Sequence, residues 1–140
     1  MTDLSLTVSR AINAPVETVF NAWLDADKLS QFMLPAPGMT PPKVTADGRQ
    51  GGKFEILMPT PDGEIPHHGE FLEVDPHSRI VFSWNSPFSG EGSTVTLDLR
   101  PEGAGTHIQL THVKFPNEES RDNHQAGWGR ILDALDAQVS

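Results

Sequence analysis

From Val44 to Val113 the apolar residues recur at every second position, in one short segment after another. "GGKFEILM" sets Phe54, Ile56 and Met58 on one face, and "RIVFSW" does the same with Ile80, Phe82 and Trp84. "STVTLDLR" adds Val95, Leu97 and Leu99, and "THIQLTHV" adds Ile108 and Leu110, with His112 continuing the same parity. Such alternation marks strands with one face in a core and the other in water. "TPDGE", "DPHS", "NSPFSGEG" and "PEGAG" between them are turn chemistry, and their close spacing predicts an antiparallel meander of about six strands. "HHGEFLEV" carries apolar residues on both parities, so the side taken by Glu70 is not readable.

The period then changes to that of a helix. "NHQAGWGRILDAL" opens behind Asn117, a plausible cap, with Glu118, Glu119 and Asp122 where the positive end of a helix dipole favours them. With Trp128 as the zero of a helical wheel, Arg121, His124, Ile131, Leu132, Leu135 and Val139 share its side. Gly127 and Gly129 flank that tryptophan, and a glycine inside a helix costs about 1 kcal/mol relative to alanine. Gly127, at the edge of the inner face, predicts a close approach of the sheet or of a ligand, with Gly129 facing sideways. Tight helix–sheet packing and an open cavity both account for it.

Ahead of the meander, "LSLTVSRAI" alternates as one more half-buried strand, with Leu4, Leu6, Val8 and Ile12 on one side and Arg10 as the exception. Val16, Val19, Phe20 and Trp23 follow at helical spacing behind Pro15, and "DADKLSQF" allows a second short helix. The prolines of "LPAPGMTPP" forbid regular structure and read as a loop. The order is one strand, two helices, the meander and a long helix. One helix cannot cover a flat sheet of that width, so the sheet is expected to curl around it, an α+β arrangement with space between helix and sheet. The 140 residues form one domain, 1–140.

The sequence has no cysteine, which excludes disulfides, thiolate metal sites and a cysteine nucleophile. Its net charge of -9 disfavours nucleic acid or an anionic membrane surface as partner. The opening residues lack a basic region followed by an apolar run, and no stretch is apolar enough to insert in a bilayer. The cytoplasm is the expected compartment.

Five segments in order, "INAPVETVFNAW", "DGRQGGKFEILM", "DGEIPHHGEFLEVDPHSRIVFSW", "GTHIQLTH" and "HQAGWGRILDAL", resemble the START-like superfamily, which includes the birch-pollen allergen. Within it the chain is similar to the branch of homologues of the heat-shock-protein-ninety ATPase activator. The resemblance implies a helix-grip fold, a curved antiparallel sheet wrapped around the carboxy-terminal helix. It says less of function, since the superfamily spans lipid carriers, receptors, cyclases and co-chaperone domains. Many relatives carry paired tryptophans before a Gly-Pro after the second short helix. Here "QFMLPAPG" places Phe32, Met33 and Leu34 there, an adaptable apolar wall.

The candidate ligand-binding residues are Phe32, Met33, Phe54, Ile56, Met58, Phe82, Trp84, Leu97, Ile108, Leu110, Gly127, Trp128 and Ile131, with His112, Arg121 and His124 as polar anchors for a ligand carboxylate or hydroxyl. The expected function is a module holding a small apolar or amphipathic molecule between sheet and helix. A co-chaperone-like domain binding a chaperone or other protein is a second reading, although related activators carry an additional amino-terminal domain. A cavity enzyme of cyclase or hydrolase type, with His112 or His124 and Glu70 as base, is a third. No cofactor is expected, for the sequence has no P-loop or dinucleotide fingerprint. No metal site is expected either, because His67 and His68 are adjacent in a strand and point to opposite faces.

Overall fold

The computed structural model describes residues 4–33, 40–60, 63–86, 90–115 and 117–139. Strand β1 (Leu4–Ile12) is followed by helices α1 (Val16–Ala22) and α2 (Ala26–Phe32). Then come β2 (Lys43–Ala46), β3 (Lys53–Thr60), β4 (Gly63–Asp75), β5 (Arg79–Ser86), β6 (Gly90–Glu102) and β7 (Gly105–Phe115), and the chain ends in α3 (Glu118–Val139). The predicted order is the observed one. Leu34 and most of the proline-rich stretch expected to form a loop, the Pro61–Asp62 turn and the Pro87–Ser89 segment lie outside the described residues.

The strands form one antiparallel, curved and unclosed sheet in the order β1-β7-β6-β5-β4-β3-β2. Consecutive strands pair except that β1 closes beside β7, so β1 and the short β2 are the two edges. Helix α3 lies along β1 and against α2, filling the concave side. Every strand position assigned inward by parity, from Phe54 through Leu110, is buried. Removing a large apolar side chain from water contributes about 1.5–3 kcal/mol, so this face, with Trp23 and Trp128 set on it, dominates the stability.

Local chemistry fixes the helix ends. Asn117 Oδ1 accepts from the Ser120 N–H at 2.8 Å and starts α3. Asp25 does the same for α2, accepting from the N–H groups of Asp27 (2.9 Å) and Lys28 (3.3 Å). Gly129 turns towards β1, where a Cβ would come 3.0 Å from Nη2 of Arg10. Arg10 itself, the odd residue in the β1 pattern, bonds Asp133 Oδ1 across that seam at 2.9 Å.

Two bulges set side chains that the alternation alone does not place. In β7 Lys114 adopts φ 68, and the pairing with β1 skips it, since Leu4 faces Phe115 and Ser5 faces Val113. The extra residue reverses the parity, so Phe115 turns inward beside His112. In β4 the register slips between Phe71 and Glu73, leaving Phe71 buried and Leu72 45% exposed. That slip is why apolar residues occupy both parities there.

Candidate ligand-binding site

Helices α1 and α2 close over one end of the curved sheet, and a crevice remains between them and β3–β5. Its walls are Trp23, the residue capping α1; Leu29 of α2 and Met33 just beyond it; Phe54 and Ile56 of β3; Phe71 of β4; and Phe82 and Trp84 of β5. About 10 Å³ between these walls admits the centre of a water-sized sphere. That is room for a single water. The aromatic walls brace one another: Phe54 meets Phe82 edge-on at 5.4 Å and Phe71 at 5.4 Å, and Trp23 meets Phe32 edge-on at 5.0 Å.

Phe54 owes its position to a glycine. It pairs with Gly69 across β3–β4, where a Cβ would fall 2.8 Å from the Phe54 ring and 1.9 Å from the Ser83 carbonyl oxygen. Only a residue without a side chain lets the ring lie over the strand and reach the crevice.

Behind Trp84 stands a second group of rings. Trp128 packs on Trp84 at 5.0 Å and on Trp23 at 6.5 Å, and its indole N–H donates to Nδ1 of His112 at 3.0 Å. His112 is wholly buried, 4.3 Å from the Phe115 ring and 5.4 Å from that of His124. His67, buried on β4, lies 5.1 Å from the Trp84 ring. Burial pushes His112 down to about 3, and the neighbouring His124 acts in the same direction. Burial likewise pushes His67 down to about 4, against a hydrogen bond to the Ile65 carbonyl, and lowers His124 against its bond to the Ser120 carbonyl. The three imidazoles are therefore neutral at pH 7.

Neutrality fixes a tautomer. The indole can only donate, so His112 Nδ1 must accept and Nε2 must carry the hydrogen. Among the described residues that Nε2–H has no partner, and neither has the buried Nε1–H of Trp23. An unsatisfied buried donor costs about 1–3 kcal/mol. His112 also has no free lone pair for base catalysis, since its accepting nitrogen holds the Trp128 hydrogen.

Of the residues singled out in the sequence, Met33, Phe54, Ile56, Phe82 and Trp84 meet at the crevice. Phe32, Met58, Leu97, Ile108, Leu110 and Ile131 lie in the surrounding core, and Gly127 is buried beside Trp128. His112, His124 and Trp128 form the second ring group, where His67 joins them. Arg121 does not; its guanidinium bonds Asp122 Oδ1 at 3.1 Å near the surface. Trp23, Leu29 and Phe71 were legible as apolar but not as crevice walls. Glu70 is half-buried, its N–H donating to Ser83 Oγ at 2.9 Å. Among the described residues no cluster of three metal-ligating side chains occurs, and His68 is exposed on the face opposite His67.

Residues 13–140 match the family model described as activator of Hsp90 ATPase homolog 1-like protein. The chain belongs to that family. Its fold recurs in protein CV1439 from Chromobacterium violaceum, 26% identical over 96% of each chain with a TM-score of 0.80. CalU16 from Micromonospora echinospora is 25% identical, with a TM-score of 0.77 over 99% of this chain and 77% of that one. The AHSA1-like protein from Aeromonas hydrophila is 25% identical, with a TM-score of 0.77 over 97% and 92% of the two chains. No curated protein matches the sequence. Among the described residues no helix is long and apolar enough to cross a membrane.

Proposed function

We propose that this domain is a cytoplasmic binding module for a small, mainly apolar molecule, taken into the crevice between α1–α2 and β3–β5. The observation that carries the reading is the lining. Eight apolar or aromatic side chains from five elements or their ends converge on one recess, and one of them, Trp23, carries a buried N–H without a partner among the described residues. Binding sites for small molecules have this composition, predominantly apolar with few polar groups. With about 10 Å³ open to the centre of a water-sized sphere, the recess is closed down by its own side chains, far below the about 300–1,000 Å³ that takes drug-sized ligands. A ligand of one or two rings enters only as the lining side chains move apart, Met33 first, because an unbranched thioether repacks easily. The ligand so placed touches Trp23 and Trp84, and Trp128 stands behind them.

Titration of neutral bicyclic compounds, followed through tryptophan emission, tests the reading. A saturable change that Ile56→Trp abolishes supports it. Emission that stays constant across the series, with the protein folded, sinks it.

A second reading is a protein-interaction domain of the kind the family description names. What favours it is a polar groove of about 560 Å³ between β1 and α3, lined by Thr7, Ser9, Arg10, Asp122, Gln125 and Asp133 among others, on a chain of net charge -9. Loss of chaperone binding in a pull-down on Gln125→Trp, with the crevice intact, would favour that surface over the crevice.

A further inference from the structure

We infer that the crevice selects a neutral carbonyl compound, such as a ketone, ester or lactone, whose oxygen accepts a hydrogen bond from the Trp23 indole N–H. The inference rests on the crevice being a binding site, and it specifies what that site recognises.

Trp23 is 2% exposed, its Nε1–H has no partner among the described residues, and its ring forms a wall of the recess. A trapped water is a poor remedy. The space admits one, but a buried water needs two to four polar partners, and the lining side chains bear only indole N–H groups and one thioether sulfur. An acceptor carried by an apolar ligand satisfies the indole without that requirement.

The chemistry of the acceptor follows from what else surrounds it. All ten lysine and arginine side chains lie among the described residues and none is buried. The nearby histidines are neutral. A carboxylate entering the crevice would be buried without a countercharge, which is heavily disfavoured. A hydroxyl could accept from Trp23, but its own hydrogen would meet no oxygen or nitrogen acceptor among the lining side chains. A carbonyl oxygen accepts and has nothing to donate. A neutral carbonyl thus pairs the Trp23 donor and brings neither a charge nor a donor of its own.

Three probes of one shape separate these cases: 2-acetylnaphthalene, 2-ethylnaphthalene and 2-naphthoate. Each is titrated into ¹⁵N-labelled protein while the three indole N–H signals are followed, assigned with Trp84→Phe and Trp128→Phe. The expected result is that the ketone binds about tenfold more tightly than the ethyl compound and the carboxylate, equivalent to about 1.4 kcal/mol. It should also move the Trp23 N–H signal downfield. In Trp23→Phe the ketone's advantage should vanish while 2-ethylnaphthalene binds as before. Equal binding of ketone and ethyl compound with an unmoved Trp23 signal overturns the inference and leaves the crevice intact as a site. Naphthoate binding as tightly as the ketone overturns the requirement for neutrality. Binding of none of the three overturns the crevice reading, and this inference with it. Should Trp23→Phe fail to fold, the direction of the wild-type N–H shift decides alone.

Discussion

Lowering the pH from 7.5 to 5 should destabilise this protein well before its carboxylates titrate. His67 and His112 are held to about 4 and about 3 in the folded state, chiefly by burial. In the unfolded chain both return to about 6.5. Because the folded values are the lower ones, the stabilising effect is complete above about pH 6.5. It is lost as pH falls, since the unfolded state alone takes up protons until the folded values are reached. At pH 5 the unfolded chain has gained 1.5 pH units of favourable protonation at each site, about 2 kcal/mol per histidine and about 4 kcal/mol for the two. His124, lowered in the same direction, adds to this. A domain of this kind has only about 5–15 kcal/mol in total. Urea melts at constant ionic strength should show the midpoint falling by about 2 M between pH 7.5 and 5, given slopes of about 1–3 kcal/mol per molar. In His67→Phe the difference between the two pH values should shrink by about 2 kcal/mol. A midpoint that stays level across this range, or the same decline in His67→Phe, would show that these rings are not buried neutral groups.

Other substitutions probe separate links. Trp128→Phe removes the only hydrogen bond the His112 ring makes among the described residues and leaves Nδ1 unpaired, so chemical denaturation should show a loss of at least about 1–3 kcal/mol. Gly69→Ala drives a methyl into the Ser83 carbonyl and the Phe54 ring; a cost of about 1–3 kcal/mol or more is expected in thermal melts, together with weaker binding of crevice probes. Met33→Ala should cost about 2–5 kcal/mol of stability yet admit larger naphthalene probes, read by equilibrium titration on the folded fraction. Asn117→Ala removes the cap on α3, and urea melts should report about 1 kcal/mol.

How much of this was legible varies by physical cause. Alternation at Phe54–Met58, Ile80–Trp84 and Ile108–Leu110 reports directly which face meets the core, so strands, their order and their inner faces follow from it. Caps such as Asn117 are equally local. The two bulges are not: Lys114 reverses the parity after His112, and the slip at Leu72 hides the Ile65–His67–Gly69–Phe71 alternation that would have put His67 inside. The crevice under α1 and α2 was not legible for a different reason. Trp128 and the strand faces suggested space under α3, but the indole of Trp128 is engaged by His112, and the recess lies under α1 and α2. How a short helix sits on a sheet depends on contacts from distant parts of the chain, and no period in the sequence encodes it. Arg121 shares the inner side of the helical wheel, yet a long side chain reaches water and Asp122 instead.

The central claim is that the crevice under α1 and α2 takes up a small apolar molecule. Its most direct test is an equilibrium titration with 6-propionyl-2-dimethylaminonaphthalene, a neutral ketone whose emission shifts to the blue in apolar surroundings. Wild-type protein is compared with Ile56→Trp, which fills the recess from β3. The account predicts saturable one-to-one binding with blue-shifted emission, lost in the filled variant while its far-ultraviolet circular dichroism is unchanged. Emission that stays at its value in water, or an equal response from both proteins, would contradict it.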